Sequence, residues 1–373
     1  MDVNKSRFNE EARLRERYVQ FDIDALRRVA AAAVNRDRCT SIIKLAEGGF
    51  NKIFLLRMDD GYEVVTRIPT PIAGPPHYTT ASEVATLRFL RTVLHVPVPE
   101  ILAYSTDATN PVGAEYIILE RLQGDSLTSR WLSLSTAELK EVLSQIVEVE
   151  EKLFSFSFPA YGSLYYKNDI PIDLQVDIGN KQTTDFCVGP ISKRQFWHGE
   201  REAMQLDRGP CTYLNLHSMF DITSYRYFVG TKPNDFLIAA ARRELAWISE
   251  YAKPQPRKTF LLQTDDPIDP NEHAKLLHDY MRLAPFLTPQ EPELTSPILR
   301  HPDLSLANVI LAPNSTKVLG IIDWQDAAIL PLFAQAGYPA FCEHDMTKPQ
   351  PLKQPKLPDN FESMDPVRKN RPG

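Results

Sequence analysis

Within LRHPDLSLANVILAPNSTKVLGIIDWQDA, residues 299–327, four side chains have the types and spacing for phosphate chemistry: His301, Asp303, Asn308 and Asp323. A carboxylate at Asp303 can orient a substrate hydroxyl and accept its proton. The oxygens of Asn308 and Asp323 are hard donors of the kind Mg²⁺ prefers, and that ion also keeps waters and phosphate oxygens in its shell. His301, Asp303 and Asn308 reproduce the H-x-D-x-x-x-x-N spacing of a kinase catalytic loop, and Asp323 falls where the second Mg²⁺ ligand is needed. His301 is assigned to bracing that loop by hydrogen bonding. Any one of these acids alone could simply cap a turn, where Asp is common. The joint placement carries the reading.

The elements that must hold these residues are legible nearby. Val309, Ile310 and Leu311 form one strand-like run and Val318 to Ile322 a second, with Pro313, Asn314, Ser315 and Thr316 as turn chemistry between them. A turn centred between Ser315 and Thr316 sets Asn308 opposite Asp323 at the open end of a hairpin. Strands about 4.8 Å apart would let the two share one cation.

Upstream, SIIKLAEGGFNKIFLLRMDDGYEVVTRIP reads as three strands, Ile42 to Leu45, Ile53 to Met58 and Tyr62 to Ile68, joined by a Gly-Gly turn and an Asp-Asp-Gly turn. Short consecutive strands imply an antiparallel sheet. Gly48 and Gly49 would let backbone amides approach phosphate oxygens. The third strand should carry a cation toward the α and β phosphates, paired with an acid on the next helix. That strand offers Arg67, which keeps its charge but grips with a planar fork. Glu83 in SEVATLRFL is its candidate partner, although Thr80 and Glu83 also spell a T-x-x-E capping box that would occupy the carboxylate locally. The helix over TASEVATLRFLRTVLHV should bury Val84, Leu87, Leu90 and Leu94 on one face. Glu120 to Leu122, after the apolar run EYIILERL, lie in order where a linker backbone would meet an adenine ring.

Ser135 and Glu138 spell a further capping box, followed by apolar Leu139, Val142, Leu143, Ile146, Val149 and Leu153 at helical spacing. Residues 155–230 are rich in aromatics and hold a basic cluster at Lys193, Arg194 and Arg201; the segment from Phe154 to Arg208 reads either as a wall or lid on the substrate side or as ordinary packing of a long insertion on the helical lobe. Helices near Asp235 to Tyr251 and Pro270 to Leu283 precede the catalytic hairpin. Of 373 residues 43% are hydrophobic, enough for a sizeable core, and a net charge of -6 without a long Lys or Arg run argues against nucleic acid as a partner. No stretch approaches the ~18 apolar residues of a membrane span. Cys39, Cys187, Cys211 and Cys342 form no C-x-x-C pair and read as reduced thiols, and no H-E-x-x-H is present. A small-molecule partner is the default, and no protein partner can be read.

EGGFNKIF, VVTRIP, SEVATLRFL, HPDLSLANVIL and IIDWQDA together resemble the aminoglycoside phosphotransferase, or kinase-like, family. The closer resemblance is to its fungal branch with the altered inheritance of mitochondria proteins, in which an Arg similarly replaces the usual lysine. YGSLYY, FWHGER and LDRGP extend the likeness over most of residues 18–360. It implies an α+β, bilobal, protein-kinase-like fold: an N-terminal helical extension over 1–40, an antiparallel sheet lobe with one long helix over 41–123, and a helical lobe over 124–345 carrying the insertion 155–230 and the hairpin 301–326. It further implies ATP as donor, Mg²⁺ held by Asn308 and Asp323, Asp303 as base, Arg67 with Glu83 as the phosphate-orienting pair, and a small hydroxyl compound as acceptor. A nucleotide-binding pseudokinase or scaffold is the alternative. A protein kinase fits less well, since IIDWQDA lacks D-F-G and no A-P-E follows. Residues 1–25 include Asp2, Glu10, Glu11 and Glu16, unlike an acid-poor presequence, so the location reads as cytoplasmic or mitochondrial. The Pro-rich residues 346–373 are expected to be extended, the helical lobe to be cut short, and LPLFAQAGYPAF to leave an apolar patch beside the catalytic loop.

Overall fold

Helix α1, Ile23–Ala33, starts on Asp22, whose side chain accepts from Ala25 N, and lays Ala25, Leu26, Ala30 and Ala31 against a five-stranded antiparallel sheet. The computed structural model describes residues 14–204, 206, 208–209, 211–212, 233–258, 263–337, 339 and 341. The first sheet strands are β1, Cys39–Glu47, β2, Asn51–Met58, and β3, Glu63–Pro69. Helix α2, Tyr78–Thr92, then leads to β4, Ile101–Ser105, and β5, Tyr116–Glu120, and the sheet order is β1-β2-β3-β5-β4. The Asp-Asp-Gly turn forms as the sequence requires: Gly61 takes φ +85°, and Tyr62 N donates to Asp60 Oδ1 at 2.9 Å. Strand β4 was not legible, being short and hemmed by Pro97 and Pro99.

Side-chain alternation along β3 divides its work. Val64 and Ile68 join Leu26, Leu56, Met58 and Ile118 in the core under α1. Val65 and Arg67 point the other way, into a cleft.

For α2 the structure decides between the two roles open to Glu83 and corrects the expected helix end. The N-cap is His77, so Thr80 sits inside the helix and donates to Glu115 Oε2 at 2.5 Å; no capping box ties up Glu83. Glu115 instead closes the helix start from outside, also accepting from His77 N at 2.7 Å, as a carboxylate near a helix N-terminus favours. The helix ends at Thr92, before Leu94, and is buried over nearly its whole circumference from Thr79 to Leu90. The cause is a second cover: Tyr165, Ile170 and Cys187 pack against Ala81.

After the linker, β6, Asp125–Ser126, leads to helix α3, Thr136–Phe154, whose Ser135–Glu138 capping box is fully formed. The insertion builds a small antiparallel sheet of β7, Ser163–Tyr166, β8, Val176–Asp177, and β9, Phe186–Gly189. Helices α4, Pro233–Tyr251, and α5, Pro270–Leu287, pack on each other. Strand β10, Pro297–Leu299, the hairpin strands β11, Val309–Leu311, and β12, Val318–Ile321, and finally β13, Ile329–Pro331, follow in the helical lobe. Strand β6 pairs with β11, and Gly124 lies so close to the Leu311 carbonyl that a Cβ there would collide with it.

Ile329, Leu330 and Pro331 are buried, with β13 paired to β10, and Leu332 and Phe333 are half-buried. Leu330 and Pro331 therefore belong to the core, against the expectation of an exposed patch there, while Ala334 is exposed. The expected extended tail after Asp345 lies outside the described residues, as does Cys342. Cys39 and Cys187 are buried free thiols.

Candidate active site

Hairpin register departs by one residue from the sequence expectation. Val309 pairs with Ile321 and Ile310 with Gly320, a slip accommodated by an irregularity between Ile310 and Leu311. Asn308 therefore faces Ile322, whose N–H donates to the Asn308 carbonyl at 2.9 Å. A one-residue slip alone would turn the neighbouring side chain to the other face. Asp323 still reaches the site because it leaves the strand with φ +66°, the left-handed region that short polar residues tolerate.

Gly48, Gly49, Arg67, Glu83, Glu120, Leu122, Asn308 and Asp323, the nucleotide and metal candidates read from sequence, all line one cleft of about 460 Å³. Neither Gly48 nor Gly49 takes a positive φ, and a Cβ on either would meet nothing within 4 Å. Their contribution is an open rim. Arg67 and Glu83, both almost completely buried, form an ion pair through the guanidinium NH1. Arg67 NH2 donates to Asp323 Oδ1 at 2.8 Å and to Gln325 Oε1 at 2.6 Å. Burial works against the Arg67 charge, but Glu83 and Asp323 outweigh it and hold its pKa above the usual value. Burial pushes Glu83 up to about 7 against the pull of Arg67.

His301 and Asp303 are not among the residues lining the cleft and connect to it through Asn308, whose Nδ2 donates to the Asp303 carbonyl at 2.8 Å. Asp303 N donates to His301 Nδ1 at 3.1 Å, and His301 Nε2 lies 2.9 Å from the Ile322 carbonyl. That pair of contacts suits the neutral ring with its proton on Nε2. Burial holds the His301 pKa below its ordinary value, consistent with a brace. The ring also meets Trp324 edge-on at 4.5 Å, and Trp324 Nε1 donates to the Ile321 carbonyl at 3.0 Å. Asp303 itself is exposed, as a base that must meet an incoming hydroxyl would be.

Three residues had no role assigned from sequence. Gln325 accepts from Arg67 and from Asn51 Nδ2 and donates to the Ala73 carbonyl at 3.2 Å. It thereby ties the glycine turn to the loop after Asp323. Asp326 takes φ +60°, has a buried Oδ1 without a partner, and is pushed by burial up to about 6. The signal was their place inside EGGFNKIF and IIDWQDA, but an Asn and a Gln can hydrogen-bond almost anywhere, and spacing does not say to what.

The donor set suits a divalent ion that keeps part of its water shell. Among the described residues no three His, Cys, Asp or Glu side chains cluster as a metal cage. Asp323 is half-exposed, and Asn308 commits its Nδ2 to Asp303, leaving Oδ1 without a hydrogen bond among the described residues. One carboxylate and one amide oxygen, completed by water and phosphate, are the protein ligands Mg²⁺ typically takes.

A subtelomeric hrmA-associated cluster protein of Aspergillus fumigatus is 54% identical over 341 residues, covering 89% of this chain and 66% of that one. The altered inheritance of mitochondria protein 9, mitochondrial, of Candida tropicalis is 29% identical over 333 residues, covering 83% of this chain and 50% of that one. The chain thus spans between half and two thirds of the length of these relatives. Among solved structures, an ADP-bound aminoglycoside phosphotransferase, APH(2'')-Ib, matches 83% of this chain and 73% of its own at 14% identity and TM-score 0.44. The APH family model, described as the phosphotransferase enzyme family, matches residues 41–334, from the first sheet strand to the helix after β13, and the chain belongs to that family.

Proposed function

We propose that the chain is an ATP-dependent phosphotransferase that moves the γ-phosphate to a hydroxyl of a small molecule. The observation that carries this reading is the convergence, in one cleft, of the glycine turn, the Arg67–Glu83 pair, Asn308 and Asp323, with Asp303 hydrogen-bonded to Asn308. Glu120 and Leu122 offer the linker edge for the adenine, and Gly48 and Gly49 the approach to the phosphates. Asn308 and Asp323 would hold Mg²⁺, which when bound neutralises phosphate charge. Asp303 orients the acceptor hydroxyl and takes its proton. Transfer of this kind rests on positioning and charge more than on covalent chemistry. The reading carries a cytoplasmic or mitochondrial setting, and among the described residues no helix is long and apolar enough to cross a membrane.

Asp323→Ala tests the metal assignment. Removing a charged ligand is expected to weaken Mg-ATP binding about 10- to 100-fold, the loss of one charge-assisted contact of roughly 1.5–3 kcal/mol. Calorimetric titration with Mg-ATP measures it, and unchanged affinity would remove Asp323 from the metal site.

One observation favours a second reading, a nucleotide-binding pseudokinase. Both terminal nitrogens of Arg67 are already engaged by Glu83, Asp323 and Gln325, so phosphate must compete for them. Mg-ATP binding without turnover, across small alcohols, sugars, cholines and amino alcohols, would select it.

A further inference from the structure

A second cavity of about 110 Å³ lies between the insertion and α4 and, among the described residues, shares no lining residue with the nucleotide cleft. Its apolar wall includes Tyr161, Phe196 and Phe236, and its polar wall holds three cations, Lys193, Arg208 and Arg243. No carboxylate lines it among the described residues.

The three cations are satisfied to different degrees. Arg208 lies over the Trp197 ring at 3.8 Å and donates to the Arg201 carbonyl at 2.5 Å, so it is spent on holding the loop. Arg243 lies over Phe196 at 4.1 Å and gives its Nε to Glu244 at 2.9 Å, but Glu244 is shared with Arg201 at 2.7 Å. Among the described residues its NH1 is buried with no hydrogen-bond partner, in a side chain only 11% exposed. Lys193 is half-buried and makes no ion pair among the described residues; the acid it feels is Asp326, beyond the lining. A buried donor left unpaired is costly, and a buried cationic donor more so. The complement of such a wall is an oxyanion, and the complement of the facing rings is a flat apolar body.

We propose that this cavity binds a small organic anion, a carboxylate or phosphate monoester on a compact apolar body, with the charged end on Arg243 and Lys193 and the body against Phe196 and Phe236. The site is independent of the phosphotransfer reading, because binding there needs neither nucleotide nor Asp303.

Titration of the full chain with benzoate, phenyl phosphate and inorganic phosphate, by calorimetry and by the fluorescence of Trp197 beside the pocket, tests it. Saturable one-to-one binding of benzoate or phenyl phosphate is expected, with the tighter of the two identifying the head group, and inorganic phosphate about tenfold weaker for want of an apolar body. Arg243→Gln and Lys193→Met should each weaken the organic anion about tenfold or more, while exposed Arg242→Gln and the cleft variant Asp323→Ala leave it unchanged. Lys193→Met decides the matter if Arg243→Gln does not fold. No saturable binding of either organic anion up to about 10 mM, a range that reaches contacts of only a few kcal/mol, overturns the proposal. So does parental affinity in Lys193→Met, loss of binding in Asp323→Ala, or inorganic phosphate binding as tightly as the organic anions.

Discussion

Asp303→Asn is expected to cut phosphoryl transfer by about 10²- to 10⁴-fold, the usual contribution of a positioned general base, while Mg-ATP affinity stays within about twofold. The exchange is nearly isosteric, and the loop depends little on the carboxylate, whose Oδ2 meets Asn308 Nδ2 only at 3.5 Å. Asn308 holds the Asp303 carbonyl at 2.8 Å, and His301 accepts from the Asp303 backbone N–H. The exchange removes the negative charge and the proton acceptor while the two backbone contacts stay. Turnover is measured with an acceptor found by ATP consumption across small hydroxyl compounds, and affinity by calorimetry. Parental turnover in Asp303→Asn would falsify the assignment of the base. Equal losses in turnover and nucleotide affinity would show instead that the loop had collapsed.

Arg67→Ala should be the most destabilising change in the cleft. Breaking a buried ion pair from one side typically costs about 3–5 kcal/mol, because the remaining charge is stranded. Here Glu83 has an escape, since burial already lifts it from its ordinary 4.5 to about 7, and without Arg67 it is lifted further. An acid whose folded pKa exceeds its unfolded one binds more protons when folded. Its contribution is therefore most favourable below the unfolded value and declines as pH rises toward the folded one. The parent shares that decline up to about pH 7, so the variant should keep a near-constant gap below the parent from pH 5 to 7 and fall further below it as pH rises from there toward 8. Arg67→Lys keeps a charge for Glu83 but cannot fork to Asp323 and Gln325, so it should recover stability better than it recovers nucleotide affinity. Thermal melts across that range check both. A gap between Arg67→Ala and parent that does not widen with pH would mean that Glu83 is not the stranded charge.

How legible these features were depended on how local their signals are. The hairpin, the Ser135 cap and the three sheet strands each follow from neighbours in the chain, and they appear where the sequence put them, within a few residues. The hairpin register did not, because a single irregularity between Ile310 and Leu311 is invisible in an apolar run. The fate of Glu83 was undecidable for a related reason. Thr80 and Glu83 have the right spacing for a cap, and only Glu115, far along the chain and bonded to Thr80, shows that the helix begins earlier. Leu94 was read onto the helix face because periodicity cannot see where a helix stops. The insertion was least legible: its cations are placed by rings and carbonyls from distant segments, as Arg208 is by Trp197 and Arg243 by Phe196.

Asp326 combines three features that each work against folding: a left-handed backbone on a residue with a Cβ, a buried carboxylate lifted to about 6, and an oxygen without a partner. Glycine would relieve all three at once. A library sorted for heat resistance alone should therefore enrich glycine at position 326, and one sorted for the proposed transfer should purge it, since Asp326 is the acid that Lys193 on one side and Arg67 on the other both face. Position 326 is where selection for a sturdy protein and selection for a working one would pull apart.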